Sequence, residues 1–381
     1  MDSLLEAART QVARFLIPGL TTSLALGNSK EQDGSELLRT KSQQTIALSN
    51  GSLRITGDIA PGIEQVLLGV CRSLLIPREL VDLFVYPSSE LGAFCVLNDI
   101  PLTLAISSSL VTILSGAELA FVLGHELGHR LFRETSQFSE KSGCLEDAIY
   151  ARAVEMTVDR VGLFAAADQD AAFRAILKTL SGLTGDNLRF DFGHLLSEAR
   201  DLGREKISEQ DLWSSHPPLA QRFRALVAFS LSDAYLTACG KEASGGTPIE
   251  RVNEFVTRKL ADSVDRHAHA LIDSSLADLF VWLVCFLALS SQKVSISALR
   301  ESCRIHIDRA SVQRAFAFVS AYAEEQRDDA LQTKIAEAMS TCLRLAPRRT
   351  ADIMKRFAIE HPEFQFDEIC AIKVVDPRFN G

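Results

Sequence analysis

The spacing of apolar and polar residues divides the chain into an amphipathic N-terminal helix, a short β-prone region and a long helical remainder. At the N-terminus, apolar residues recur at helical spacing at Leu4, Leu5, Ala8, Val12, Phe15 and Leu16. This pattern predicts a helix that packs one face on the protein, with a membrane surface as the less favoured alternative. Strand-like runs follow in LVDLFVYP and GAFCVLNDIPLTLAIS, and helical periodicity continues from Ser115 onward.

Two local signals predict a turn and an edge within the β-prone region. Asn50-Gly51, inside TIALSNGSLRIT, is typical of a tight two-residue turn and predicts a β-hairpin. Pro101 has no N–H to donate to a strand ladder, so the segment that follows it is expected at a sheet edge. The polar stretch GNSKEQDGSE, which precedes the hairpin, indicates a linker.

The pattern as a whole predicts an α+β fold that is predominantly helical, with a small sheet and a C-terminal α-helical domain. A glycine-rich polar stretch from Cys239 to Glu250 predicts a domain boundary. We therefore expect an N-terminal region of residues 1–60, a central domain of residues 61–235 and a helical domain of residues 250–381. The apolar run from Leu279 to Leu289 is too short to span a bilayer and predicts a buried helix.

Composition and charge limit the classes of binding partner and the cellular compartment that we expect for this protein. The net charge of −9 gives no electrostatic case for binding nucleic acid or an anionic membrane. Asp2 and Glu6 stand where a secretion signal would carry positive charge. The 8 cysteines lack CxxC spacing, which favours reduced thiols over a disulfide framework. These features predict a cytoplasmic globular protein with no nucleic-acid partner and no transmembrane segment.

The candidate chemistry begins in FVLGHELGHRLF. His125 and His129 stand one helical turn apart, so their imidazoles can converge on a single metal ion. Glu126 is rotated by about 100° and can reach a water on the metal rather than the metal itself. Ser115 and Glu118 form a capping box that predicts the start of this helix. The alternative is a pair of core histidines, but an accidental H-E-x-x-H is expected only on the order of 0.01 times per such chain.

A catalytic zinc ion needs three protein ligands and one open position, so a third ligand must come from elsewhere in the chain. Glu155 and Asp159 share one helix face in RAVEMTVDRVGLFAA, where small neighbours would allow close packing. Glu155 could then reach the metal while Asp159 accepts a ligand histidine's ring N–H. His216 and Arg222, in SHPPLAQRF, could stabilise negative charge on the reacting carbonyl oxygen. Taken alone, Glu155 and Asp159 are more often a solvated helix face, although the preceding H-E-x-x-H helix reverses that balance. The alternative for His216 is a loop that ends in a proline-started helix.

In this order the three motifs resemble the M48 family of zinc metallopeptidases, a gluzincin-like family that includes HtpX and the CAAX prenyl protease. The resemblance covers roughly Pro61 to Leu226 and implies a zincin-like domain with one Zn²⁺ ion per chain. It implies these roles: zinc ligands His125, His129 and Glu155; general base Glu126; support of a ligand histidine by Asp159; assistance at the oxyanion by His216; and orientation of the site by Arg222.

The resemblance also implies an activity, namely zinc-dependent endopeptidase hydrolysis of extended or unfolded protein or peptide substrates. Its nucleophile would be a Glu-activated, zinc-bound water. A substrate strand is expected to pair with the segment from Leu102 to Ile106. The alternative is a catalytically inactive zinc-fold scaffold that binds or regulates through its C-terminal helices. Those helices could equally bring together a homo-oligomer or a regulatory partner.

Overall fold

The computed structural model describes residues 2–17, 42–96, 101–132, 143–189, 208–261, 264–289 and 309–360, together with residues 191, 193, 194 and 197. The predicted linker at residues 27–36 lies outside the described residues. The chain divides into two units, the first made of residues 1–139, 150–206 and 215–262 and the second of 140–149, 207–214 and 263–381. The stretch from Cys239 to Glu250, predicted as a boundary, therefore lies inside the first unit.

The first unit contains a four-stranded sheet and the helices that pack around it. Helices are numbered in chain order, so α8 (Glu209–Trp213) belongs to the second unit and α6 (Leu145–Ala166) is shared between the two. Its elements are α1 (Asp2–Ala13), α2 (Gln43–Gly51), β1 (Leu53–Arg54), α3 (Pro61–Ser73), β2 (Val81–Tyr86), β3 (Ala93–Val96), β4 (Leu102–Ser107), α4 (Ser108–Ile113), α5 (Gly116–Phe132), α6 (Leu145–Ala166, from Tyr150 onward), α7 (Gln169–Ser181), α9 (Leu219–Ser230), α10 (Asp233–Ala238) and α11 (Ile249–Ala261). Short 3-10 turns lie at Arg78–Leu80 and Gly185–Asn187. The predicted fold class, a predominantly helical α+β protein, is confirmed.

The strands form one mixed sheet in the order β1-β2-β4-β3. β2 and β4 run parallel, whereas β3 is antiparallel to β4 and β1 is antiparallel to β2. The segment from Leu102 to Ile106 is therefore an interior strand, and its predicted position at an edge is wrong. Pro101 precedes the first paired residue, so the ladder does not need its missing N–H. The edge strand beside β4 is β3 instead.

Side chains alternate between the two faces of this sheet, as strand geometry requires. On one face, residues such as Leu83 and Leu104 belong to the main core of the first unit. On the opposite face, Phe84 and Ala105 pack with Leu48 of α2. The helix α5 packs against β3 and β4 and also against α3 and α7, which fixes the position of the histidine motif relative to the edge of the sheet.

The hairpin predicted at Asn50-Gly51 is wrong, because residues 43–51 form the helix α2. The Ser42 side chain caps this helix by accepting a hydrogen bond from the Thr45 N–H at 3.2 Å. Thr45 and Leu48 are buried on one face of the helix. Burial of that face overrides the local turn signal, since the preference of a short segment is weak against tertiary packing.

The N-terminal helix packs on the protein, as its apolar periodicity predicts. Leu5, Ala8 and Val12 are buried in the main core of the first unit. The chain continues past the helix with Phe15 and Ile17, whose side chains are also buried there. The end of this segment is thus part of the core that supports the sheet and the helices of the first unit.

The second unit is helical in its described residues and has a hydrophobic core of its own. Its elements are the start of α6, α8 (Glu209–Trp213), α12 (Val264–Leu289), α13 (Arg309–Ser320), α14 (Glu324–Leu345) and α15 (Pro347–Glu360). α12 packs against α8, α13 and α14. Arg348 at the start of α15 is ion-paired with Asp147 in the first turn of α6.

The apolar run from Leu279 to Leu289 belongs to the 26-residue helix α12 rather than to a short isolated helix. Within the residues described, α12 is the one helix whose length and composition would allow it to cross a bilayer. Half of its most apolar stretch is buried, including Leu276, Leu279 and Phe280 in the core of the second unit. A core helix of a helical bundle has the same properties, so this finding alone is weak support for a membrane span.

Candidate metal centre

The predicted capping box at the start of α5 is present. The Ser115 N–H donates to a Glu118 carboxylate oxygen at 2.6 Å, and the Glu118 N–H donates to the Ser115 hydroxyl at 3.4 Å. Glu118 is buried and also accepts from Lys178 at 2.7 Å and Arg174 at 3.2 Å, both on α7. Burial raises the Glu118 pKa, but the hydrogen bonds from Lys178 and Ser115 and the charge of Lys178 outweigh it and lower the pKa overall. One carboxylate therefore caps α5 and ties it to α7.

Glycine residues let α5 and α6 approach closely. A Cβ atom on Gly124 would lie 2.5 Å from the Ala165 Cβ, and one on Gly162 would lie 2.8 Å from the Phe121 carbonyl oxygen. Neither distance is compatible with a side chain, so the two backbones pack at a separation that only glycine permits. This close approach explains why glycine stands inside both helices, although glycine is unfavourable there by about 1 kcal/mol relative to alanine. The close approach brings α6 within reach of the histidines.

Three ligand atoms converge where the two helices meet. His125 Nε2 and His129 Nε2 are 3.2 Å apart. The Glu155 carboxylate lies 3.6 Å from His125 Nε2 and 3.4 Å from His129 Nε2. All three ligand atoms lie within 4.8 Å of one another, and they form the metal-capable cluster found among the described residues. The Glu155 carboxylate thus lies beside the two imidazoles, and its role as a metal ligand stays a prediction.

The spacing of these atoms fits a tetrahedral zinc ion. Ligand atoms that each lie about 2.0–2.1 Å from a tetrahedral zinc are about 3.3–3.5 Å from one another, close to the distances in the cluster. Glu155 Oε2 is buried and has no hydrogen-bond partner among the described residues, as expected of an atom that binds a cation. Burial raises the Glu155 pKa, but the neighbouring histidines outweigh it and lower the pKa to about 2. The third ligand is therefore an anion at neutral pH.

Asp159 orients the first histidine. The His125 Nδ1–H donates to Asp159 Oδ1 at 3.0 Å, which leaves Nε2 to face Glu155 and His129. Such a contact sets the tautomer and raises the basicity of a ligand imidazole. The Asp159 side chain is 1% exposed. Burial raises its pKa, but the charge and hydrogen bonds of Arg222 outweigh this effect and hold it well below the ordinary carboxyl value.

Arg222 contacts Asp159 rather than the open side of the cluster. Its Nε donates to Asp159 Oδ2 at 2.8 Å and its Nη2 donates to Oδ1 at 2.7 Å. The guanidinium is buried against Asp159. Of the two roles considered for Arg222, orientation of the site agrees with these contacts, whereas donation to a reacting carbonyl does not. The guanidinium orients the site through a chain of contacts, Arg222 to Asp159 to His125. Two parallel hydrogen bonds between a guanidinium and a carboxylate fix the relative orientation of the two groups.

Glu126 flanks the histidines, as its helical position predicts. Burial raises the pKa of its carboxyl group, and the neighbouring His125 and His129 only partly oppose the shift. The backbone of Cys95, on the edge strand β3, donates a hydrogen bond to the same carboxylate. Glu126 therefore lies between the ligand cluster and the edge of the sheet.

His216 lies at the exposed rim of the cluster. Its Nε2 is 3.8 Å from the Glu155 carboxylate, and its Nδ1 is 3.0 Å from the Ser215 hydroxyl. The His216 side chain is 63% exposed, whereas those of His125, His129 and Glu155 are 13%, 26% and 10% exposed. His216 therefore lies beside the cluster on its solvent side, and its role at the oxyanion stays a prediction.

The edge strand β3 presents backbone groups beside Glu126. The Ser107 N–H donates to the Gly92 carbonyl at 2.8 Å, which makes this pair a hydrogen-bonded pair of the antiparallel β3-β4 ladder. Because such pairs alternate with non-hydrogen-bonded ones, the N–H and C=O groups of Ala93 and Cys95 point away from β4. The hydrogen bond from Cys95 to Glu126 agrees with this direction. Sequence analysis assigned the wrong strand to this edge, since strand order is not encoded in the local pattern.

His125, His129 and Glu155, on two packed helices, form a cluster that could hold a metal ion. Two histidines and one glutamate are a ligand set that catalytic zinc sites of peptidases use. The model of the family described as Peptidase family M48 matches residues 60–146 and 142–230. These residues form a peptidase family M48 metallopeptidase domain, which confirms the resemblance carried by the motifs. Among curated proteins, none matches this chain.

Proposed function

We propose that this protein is a zinc-dependent endopeptidase that hydrolyses peptide bonds in extended or locally unfolded protein substrates. The observation that carries the proposal is the convergence of three ligand atoms from α5 and α6 beside the Glu126 carboxylate. Membership of residues 60–230 in a peptidase family supports proteolysis in general. The donor set, the flanking Glu126 and the free strand edge support the finer assignment.

His125, His129 and Glu155 would hold the zinc ion, one per chain. When bound, zinc would polarise the scissile carbonyl and lower the pKa of a coordinated water to about 7. Two imidazoles and one carboxylate leave one position of a tetrahedron for water or substrate. Asp159 and Arg222 would keep His125 in the tautomer whose Nε2 faces the ion.

Glu126 is the proposed general base. The raised pKa brings its carboxyl group towards neutral pH, where a group both accepts and returns a proton effectively. It would take a proton from the attacking water and then deliver that proton to the leaving amine. The hydrogen bond from Cys95 would hold the carboxylate between the water and the substrate strand.

His216 is the proposed donor to the oxyanion that develops as water attacks the carbonyl. Its rim position and its contact with Ser215 leave Nε2 directed at the ligand cluster. A donor of this kind typically contributes about 3 kcal/mol to stabilisation of the transition state.

The substrate would pair with the outward edge of β3, not with Leu102–Ile106. Ala93 offers an N–H and a C=O there, while the Cys95 N–H is used by Glu126. Pairing through main-chain groups selects an extended chain rather than a particular sequence. Unfolded or locally unfolded proteins are therefore the proposed substrates. A cytoplasmic location, the absence of a nucleic-acid partner, and a homo-oligomer or regulatory partner at the second unit stay predictions.

The test compares wild type with Glu126→Gln for zinc content and for cleavage of an unfolded protein such as casein. Glu254→Gln is the matched control, because Glu254 is exposed on α11 of the same unit. We expect all three proteins to hold one zinc ion, and wild type and Glu254→Gln to cleave equally. We expect Glu126→Gln to lose activity by about 10²-fold or more.

Two results would overturn the proposal. If wild type holds no zinc after purification with added metal, the proposed metal centre is wrong. Wild type that holds zinc but cleaves no unfolded substrate, in parallel with Glu126→Gln, would favour the inactive scaffold instead.

A further inference from the structure

Arg160 is a fully buried arginine that immediately follows Asp159 on α6. Its Nη1 donates to the Phe15 carbonyl oxygen at 2.9 Å and to Asn253 Oδ1 at 2.7 Å. Its guanidinium carbon lies 5.1 Å from the centre of the Phe229 ring. One side chain thus joins α6 to the end of the N-terminal segment, to α11 and to α9.

No carboxylate among the described residues contacts this cation. Its Nε and Nη2 are buried and have no hydrogen-bond partner in the described part of the chain. Burial lowers the Arg160 pKa to about 9, so the group is still charged at neutral pH. Burial of a charge that has only one carbonyl, one amide and one aromatic face as partners costs free energy of folding. An apolar side chain would fill the same core position without that cost, so we infer that the contacts of Arg160 have a specific role.

The contact with Phe15 is part of a packed junction. The Phe15 ring lies 5.3 Å from the Phe164 ring on α6 and 5.1 Å from the Phe229 ring on α9. The Phe15 side chain is fully buried. The end of the N-terminal segment therefore packs on α6 with its side chain and is held by Arg160 through its backbone.

These contacts hold α6 from a side that the metal centre does not use. Glu155 and Asp159 face the histidines and Arg222, while Gly162 faces α5. Arg160 is rotated by about 100° from Asp159 and supplies a third point of attachment. Rotation or sliding of α6 would move both the third metal ligand and the residue that orients His125.

We propose that Arg160 is a positioning residue which holds the metal-ligand helix in register through Phe15 and Asn253. The end of the N-terminal segment is then a structural support of the helix that carries Glu155 and Asp159. This inference rests on the proposed function, because it assigns Arg160 an effect on metal binding.

A double-mutant cycle tests the link between Arg160 and Asn253. Asn253→Asp places a carboxylate against the guanidinium, whereas the same change with Arg160→Met leaves a buried carboxylate without a cation. We expect the first to be tolerated and the second to be strongly destabilised. The coupling should be about tenfold or more in the unfolding equilibrium constant. Unfolding is followed by far-UV circular dichroism, because both tryptophans, Trp213 and Trp282, lie in the second unit.

Measurements of metal affinity distinguish a positioning role of Arg160 from a role in stability alone. Cobalt(II) affinity and its visible absorption spectrum are measured for wild type, Arg160→Met, Arg160→Lys and Leu67→Ala. Leu67 is fully buried on α3, so Leu67→Ala serves as a destabilised control. We expect Arg160→Met to bind cobalt about 10–100-fold more weakly with an altered spectrum, as when a support of a metal ligand is lost. Arg160→Lys should recover part of the affinity, since lysine keeps the charge but not the planar fork.

Equal cobalt affinity and spectrum in folded wild type and folded Arg160→Met would overturn the positioning role while leaving the proposed function intact. The same loss of affinity in Leu67→Ala would overturn it as well, since the effect would then follow from stability alone. If Arg160→Met does not fold, Arg160→Lys decides the matter: affinity equal to wild type overturns the proposal. Wild type that binds no metal overturns the proposed function and this inference together.

Discussion

Substitution of Gly162 by alanine is the sharpest test of how the metal centre is assembled. A Cβ atom at this position would lie 2.8 Å from the Phe121 carbonyl oxygen and 3.0 Å from two carbons of the Phe121 ring. The oxygen belongs to the backbone of α5 and cannot be moved by a side-chain rotation. The added methyl group must therefore push α5 and α6 apart by several tenths of an ångström.

Two opposing effects set the expected magnitude. Alanine is favoured over glycine inside a helix by about 1 kcal/mol. Overpacking of a close helix contact costs about 1–3 kcal/mol, and the backbone contact here favours the upper part of that range. We expect Gly162→Ala to lower the free energy of unfolding by about 1–2 kcal/mol. It should also weaken zinc binding, because Glu155 and His125 lie on the two helices that separate.

The matched control is Gly69→Ala on α3. Gly69 is exposed, and a Cβ atom there would meet nothing within 4 Å. Only the helix preference applies, so this variant should gain about 1 kcal/mol of stability and bind zinc as wild type does. The assay is urea unfolding followed by circular dichroism, with zinc affinity measured by competition with a chelator. A Gly162→Ala variant as stable as Gly69→Ala, with wild-type zinc affinity, would refute the close-packing argument.

Three further predictions concern the supports of the site. Asp159→Asn should weaken zinc binding about 10–100-fold, as measured by competition with a chelator. The variant should also lose about 3 kcal/mol or more of unfolding free energy, because the buried Arg222 guanidinium loses its counter-charge. Urea unfolding measures this second effect. Because the pKa of Glu118 is lowered in the folded protein, its contribution to stability is present above the ordinary carboxyl pKa and is lost as the pH falls through the lowered value. The difference in unfolding free energy between wild type and Glu118→Gln should therefore shrink on acidification, and a difference that grows would contradict the prediction. Ala93→Pro removes an N–H that points away from β4, so it should raise KM with little loss of stability. Phe94→Pro removes a hydrogen bond of the β3-β4 ladder, so it should destabilise the protein. Peptidase kinetics and thermal unfolding distinguish these outcomes.

Relations within one helix could be worked out from the order of residues. His125 and His129 share a face because they are one turn apart, and Ser115 with Glu118 marks the start of the same helix. Both arrangements depend on φ and ψ angles that repeat along one segment. The same reasoning placed Glu155 and Asp159 on a common face, and the buried face of α1 followed from its apolar spacing.

The sequence by itself thus determined which residues could bind a metal and which helix faces would be buried. The tertiary structure decided which segments meet. It made β3 rather than Leu102–Ile106 an edge strand, folded Gln43–Gly51 into a helix, and paired Arg222 with Asp159. The physical reason is that periodicity and capping act over a few residues of one segment. Strand order and the partner of a buried charge are instead set by burial and desolvation among segments far apart in the chain.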